Sequence, residues 1–121
     1  MITCSLVLCS VAEQASALSN IKHLLRPDGG TCGYIEHVAV NPSEKGHFLL
    51  EWEQQLLDPL QQAVAHNCHL HRFTEDAINH EFAIVQPVVQ QEASLLWNER
   101  FFVEDMWPVS CQCCGVIQRI A

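Results

Sequence analysis

Three groups of side chains have the types that reactions and ligands require. Leu8-Cys9-Ser10-Val11 follows a short apolar run and sets a thiol beside a hydroxyl. Glu36-His37 closes a second apolar run, and His37 is the side chain whose ordinary pKa suits proton transfer near neutrality. His66, Cys68, His69 and His71, with Cys111, Cys113 and Cys114 further on, are the donor types that zinc takes. Zinc needs four such donors in a tetrahedron, usually offered as cysteines about two to four residues apart. Cys111-x-Cys113-Cys114 is tighter than that, so spacing assigns no metal here. Plainer uses stand beside each reading: Cys9 as a small buried packing residue, His37 as a hydrogen-bonded histidine at a sheet end.

These residues need elements to position them. Ile2–Leu8 reads as a strand apolar on both faces, as in the middle of a parallel sheet. Ser10-Val11-Ala12-Glu13 has the form of a capping box, which predicts a helix from about Val11 with Val11, Ala15, Leu18 and Leu25 on one stripe. Lys22, His23 and Arg26 then suit its carboxyl end. Pro27-Asp28-Gly29-Gly30 stops the helix and turns the chain into a second strand, Thr31–Val40. Two strands joined by one helix form a parallel crossover unit, the signature of an α/β sheet. In such sheets ligands lie beyond the carboxyl ends of the strands. Leu8–Val11 and Glu36-His37 therefore share one rim.

Beyond a loop at Asn41–Gly46, the spacing predicts a helix over His47–Ala65, kinked or split at Pro59. Its stripe of Leu49, Trp52, Leu56, Leu60 and Val64 reads as core, with a partner-binding stripe over Trp52, Leu56, Leu60 and Val64 as the alternative, and Glu44, Glu51, Glu53 and Asp58 as a solvated face. Thr74 is the expected cap of a short helix ending near Glu81. Phe82–Val89 is a third strand. Gln90–Trp107 reads as a short helix or a lid-like loop around Trp97, Phe101 and Phe102, whose aromatic side chains, with Met106 and Trp107, could fill a core, line a pocket or enter an interface. Pro108–Ile120 is the closing strand.

Composition narrows the function classes. The chain has 121 residues, one domain's worth, with a net charge of −8 and 49% apolar residues. That charge repels phosphate backbones and anionic lipid, which argues against nucleic-acid binding through a basic patch. No run reaches the roughly 20 apolar residues of a membrane span. Seven cysteines, an odd count with no leader-like opening, point to reduced thiols and an intracellular, cytoplasmic setting.

An ordered set of residues resembles a known family. Leu6-Val7-Leu8-Cys9-Ser10-Val11, Leu25-Arg26-Pro27 through Gly29-Gly30, Glu36-His37-Val38, Leu57-Asp58-Pro59, and Cys68, Leu70, Arg72 and Thr74 occur in sequence. They look like the C-terminal half of a class I S-adenosylmethionine-dependent methyltransferase, most similar to the thiol methyltransferase group. The resemblance implies a partial Rossmann-like α/β domain over residues 1–121, with about four strands and flanking helices and the N-terminal half missing. The retained strands correspond to the family's fourth, fifth, seventh and sixth. It implies methyl transfer from S-adenosylmethionine to a small-molecule acceptor, with Leu8, Cys9, Ser10 and Val11 at the cofactor and His37 as the candidate base where the acceptor arrives protonated.

Three departures qualify it. Asp28 is an additional turn residue. Cys111-Gln112-Cys113-Cys114-Gly115 differs from the glycine-containing final strand of the family. The glycine-rich turn and ribose-binding acid of that family have no counterpart here, since Gly29-Gly30 lies between helix and strand. The chain by itself is therefore expected to bind the cofactor poorly. The Ile2–Leu8 edge, left without neighbours, is expected to drive self-association. The alternatives are a non-catalytic remnant that binds another chain through this edge, and a small metal-binding module.

Overall fold

The computed structural model describes residues 1–82 and 93–120. Its elements run β1 (Ile2–Ser5), α1 (Gln14–Leu24), β2 (Thr31–His37), α2 (Phe48–Val64), α3 (Thr74–Glu81), β3 (Ala93–Phe102), a turn of 3-10 helix at Glu104–Met106, and β4 (Cys111–Arg119). The four strands form one sheet in the order β1-β2-β4-β3. β1 and β2 are parallel, joined through α1, while β4 runs antiparallel to both of its neighbours. This mixed α/β arrangement is compatible with the fourth-fifth-seventh-sixth order of a partial class I methyltransferase sheet.

Register decides which side chains meet. Cys32 pairs with Ile117, Tyr34 with Gly115 and Glu36 with Cys113, so these residues share one face with Ile2 and Cys4 of β1. Leu18 of α1, Ile78 of α3, Phe82 and Leu25 pack against that face with Val38, Val40, Ala93, Cys111 and Cys113. The connection from α1 into β2 turns through Asp28 and Gly29, both at positive φ (57° and 105°). Gly30 follows so close to the helix end that an added Cβ would stand 2.5 Å from the Arg26 carbonyl oxygen. Arg119 then ties this turn to β4: its amide donates to Gly30 O and its carbonyl accepts from Gly29 N.

Several sequence expectations are corrected. β1 stops at Ser5 rather than Leu8 and is not buried on both faces: its burial alternates, and Leu6 and Val7 are exposed. Among the described residues it borders β2 alone, at the edge of the sheet. Leu6 leaves the strand at positive φ (53°), and Ser10 N bonds back to Val7 O at 2.9 Å. Ser10 is thus consumed in a turn and caps nothing; α1 begins at Gln14 with Glu13 at the cap position and no side-chain cap. Thr74 is the first residue of α3, not its cap; its hydroxyl accepts from Gln14 Nε2 at 2.9 Å.

α2 passes through Pro59 as one element. Its apolar stripe faces outward, with Leu49, Trp52, Leu56, Leu60 and Val64 all exposed. The inward anchor is Gln54, fully buried, which accepts from Val40 N at 2.9 Å and donates to Val38 O at 3.2 Å. The acids expected on a solvated face are mostly engaged. Asp58 accepts from the Leu70 and His71 amides, Glu53 from Trp107 Nε1, and Glu44 pairs with Arg100, which also pairs with Glu75. Where a short helix or lid-like loop is expected over Gln90–Trp107, β3 occupies Ala93–Phe102, paired along its length with β4 and bulged between Leu95 and Trp97, and only the turn of 3-10 helix at Glu104–Met106 follows it. The strand expected at Phe82–Val89 lies outside the described residues from position 83, and Phe82 is buried at the end of α3. Among the described residues no helix is long and apolar enough to cross a membrane.

Candidate functional site

The rim beyond the carboxyl ends of β1 and β2 is built from the loop Leu6–Val11, the strand end Glu36-His37 and the connection Cys68–Arg72. Sharp reversal after Ser5 points the loop amides inward. Val7 N donates to Glu36 Oε1 at 3.1 Å, and the Leu8 and Cys9 amides also favour the charge of this carboxylate. Burial acts the other way and is stronger: the Glu36 carboxyl is held above its usual range. Among the described residues its Oε2 has no hydrogen-bond partner.

The loop carbonyls are equally committed. Arg72 Nη1 donates to Leu8 O at 2.9 Å and to Val11 O at 2.8 Å. His69 N reaches Cys9 O, Asn67 Nδ2 reaches Ser10 O at 3.1 Å, and Gln14 Nε2 also reaches Leu8 O at 3.2 Å. The sequence offers few signs of these clamps; Arg72 stands out only through the family resemblance, and Gln14 and Asn67 not at all.

Behind the loop three donors converge. His37 Nε2 lies 2.7 Å from Cys68 Sγ, and Cys68 Sγ lies 3.7 Å from Cys9 Sγ. Cys9, His37 and Cys68 are 2%, 3% and 8% exposed. Burial, with Arg72 nearby, lowers the His37 pKa to about 4, and burial raises the Cys9 thiol to about 11. The site therefore holds a neutral imidazole and a protonated Cys9 thiol at neutral pH. A neutral imidazole accepts a proton poorly above pH 4, and this one meets Cys68 rather than solvent. The histidines and cysteines of the sequence pattern are otherwise dispersed: Cys111 contacts Arg100, Cys113 is in the core, Cys114 is partly exposed, and His69 faces Asp58.

Leu8 and Cys9 turn their side chains inward, while Ser10 and Val11 are half-buried at the surface. A nucleotide-type cofactor would meet backbone and the Ser10 and Val11 side chains here, as one wall. No glycine lies in this loop, so no close-approach cradle of the glycine-rich kind forms on it. An open groove of about 280 Å³ sits at the opposite end, by Met1, Leu24, Gly29 and Thr31.

No family model matches the sequence. Curated proteins do. Thiol S-methyltransferase TMT1A from Homo sapiens is 34% identical over 98 residues, covering 81% of this chain and 38% of that protein. Thiol S-methyltransferase TMT1B from Homo sapiens is 34% identical over 98 residues, covering 80% of this chain and 38% of that protein. The Rattus norvegicus TMT1B is 34% identical over 87 residues, with 71% and 34% covered. The matching stretch is thus little more than a third of these relatives' length. Sequence similarity to these proteins places the chain in a methyltransferase group, and its four-stranded sheet is compatible with part of a class I methyltransferase fold.

Proposed function

We propose that this chain contributes the acceptor side of an S-adenosylmethionine-dependent methyltransferase site, acting on a small-molecule thiol. The observation that supports it is the clamped loop Leu6–Val11 at the carboxyl end of β1, where an open α/β sheet presents its ligands, in a chain whose relatives bear thiol S-methyltransferase in their names. Methyl transfer to sulfur is an in-line displacement, so rigid positioning supplies much of the acceleration. Arg72, Gln14 and Asn67 hold the loop for that purpose. The residues here provide one wall, and the chain by itself binds cofactor weakly, with a dissociation constant on the order of a millimolar. Backbone NMR during S-adenosylmethionine titration of the full chain tests this. Saturable shifts confined to Leu8–Val11 and the end of β2 are expected; no movement of these amides overturns the reading.

A second reading rests on β1, which among the described residues is a border strand hydrogen-bonded to β2 only. A border strand offers its outer backbone groups to another chain. On this reading the domain is an association module, and sedimentation against concentration separates the two.

A further inference from the structure

We propose that Cys9, His37 and Cys68 form a binding site for a divalent metal ion, zinc being the probe of choice. The three donor atoms lie within 4.8 Å of one another, and all three residues are buried. The two sulfurs are 3.7 Å apart, close to the roughly 3.8 Å that two bonds of about 2.3 Å subtend at a tetrahedral centre. His37 Nε2, at 2.7 Å from Cys68 Sγ, must retreat by about 0.9 Å to meet the roughly 3.6 Å separation of nitrogen and sulfur on one such ion.

Charge selects the ion. Coordination breaks two S–H bonds, forms two metal–sulfur bonds, and releases two protons to solvent. A dication with two thiolates and a neutral imidazole is then uncharged overall, the only state that a buried pocket holds without large desolvation cost. A monovalent ion would leave the cluster one charge negative. Three protein donors leave a fourth position for water or a small thiol, the arrangement of zinc centres that exchange ligands. The donors come from three separate segments, which is why the tight Cys111-x-Cys113-Cys114 spacing is no guide to them.

Metal binding at this cluster requires neither cofactor nor acceptor, so it is tested with the metal alone. The reduced, metal-free full chain is titrated with Zn²⁺ against a chromophoric chelator and with Co²⁺ by absorbance. One ion per chain is expected, with sulfur-to-cobalt charge transfer of two-thiolate intensity and about two protons released. Cys9→Ser and Cys68→Ser each weaken binding by more than about 100-fold, whereas Cys114→Ser does not. Because a buried serine can prevent folding, alkylation of the unaltered chain provides the second readout: Zn²⁺ slows labelling of Cys9 and Cys68 and leaves Cys4 and Cys114 unchanged. Absence of stoichiometric binding, a cobalt spectrum without two-thiolate intensity, or protection of Cys111, Cys113 and Cys114 instead would each overturn the site.

Discussion

Cys32 sits in the core, and burial pushes its thiol from the ordinary 9.0 up to about 12. In the unfolded chain this thiol loses its proton near pH 9; in the folded one it keeps it to about 12. Between those values the unfolded state binds fewer protons, so stability falls as pH rises across the window. Cys32→Ala should flatten that alkaline decline, which urea unfolding at a series of pH values measures; an unchanged slope would contradict the burial account. Gly115 presents a different constraint. A Cβ there would lie 2.5 Å from Tyr34 Oη and 2.8 Å from Trp97 O. Tyr34 is buried and cannot swing away, so Gly115→Ala should cost about 1–3 kcal/mol in a denaturation midpoint. Gly115 thus lets β4 pass directly opposite Tyr34.

At the scale of elements, periodicity and packing separate cleanly in α2. The spacing of Leu49, Trp52, Leu56 and Leu60 predicts the helix and its length well, because an amphipathic stripe reports the backbone period. It does not report which face meets the sheet. Here the polar side turns inward, through Gln54 to the residues that follow β2 and through Asp58 to the Leu70 and His71 amides. Leu56→Ser should then change stability by no more than about 0.5 kcal/mol, as for other exposed positions. Gln54→Ala should cost about 1–3 kcal/mol by stranding the Val38 and Val40 backbone groups. Reversal of that ranking in thermal unfolding would return the stripe to the core. The rim shows the same division. The turn at Gly29-Gly30 and the start of β2 after it are legible, since glycine and proline punctuate the chain, whereas β1 and β2 each end three residues before the sequence expects. The convergence of Cys9, His37 and Cys68 is not, because it depends on how three distant segments are stacked.

For the molecule as a whole, the sheet has one packed face and one open one. Cys32, Tyr34 and Ile117 lie beneath α1 and α3, while Ile35 and Trp97 on the reverse side stay exposed. β1 adds an unpaired backbone edge, with the Thr3 and Ser5 side chains exposed. Two routes to association therefore compete: strand pairing at β1, and apolar contact through the open face or α2. They differ in what disrupts them. A lysine on an edge strand opposes pairing, because a second strand would desolvate its charge and meet its repeat. Thr3→Lys with Ser5→Lys should lower the association seen in sedimentation velocity, while Trp52→Gln with Leu56→Gln should leave it unchanged. The opposite result would place the contact on α2. A chain that stays monomeric from dilute to concentrated solution would mean that four residues of strand, about 13 Å of backbone, are too short an edge to recruit a partner.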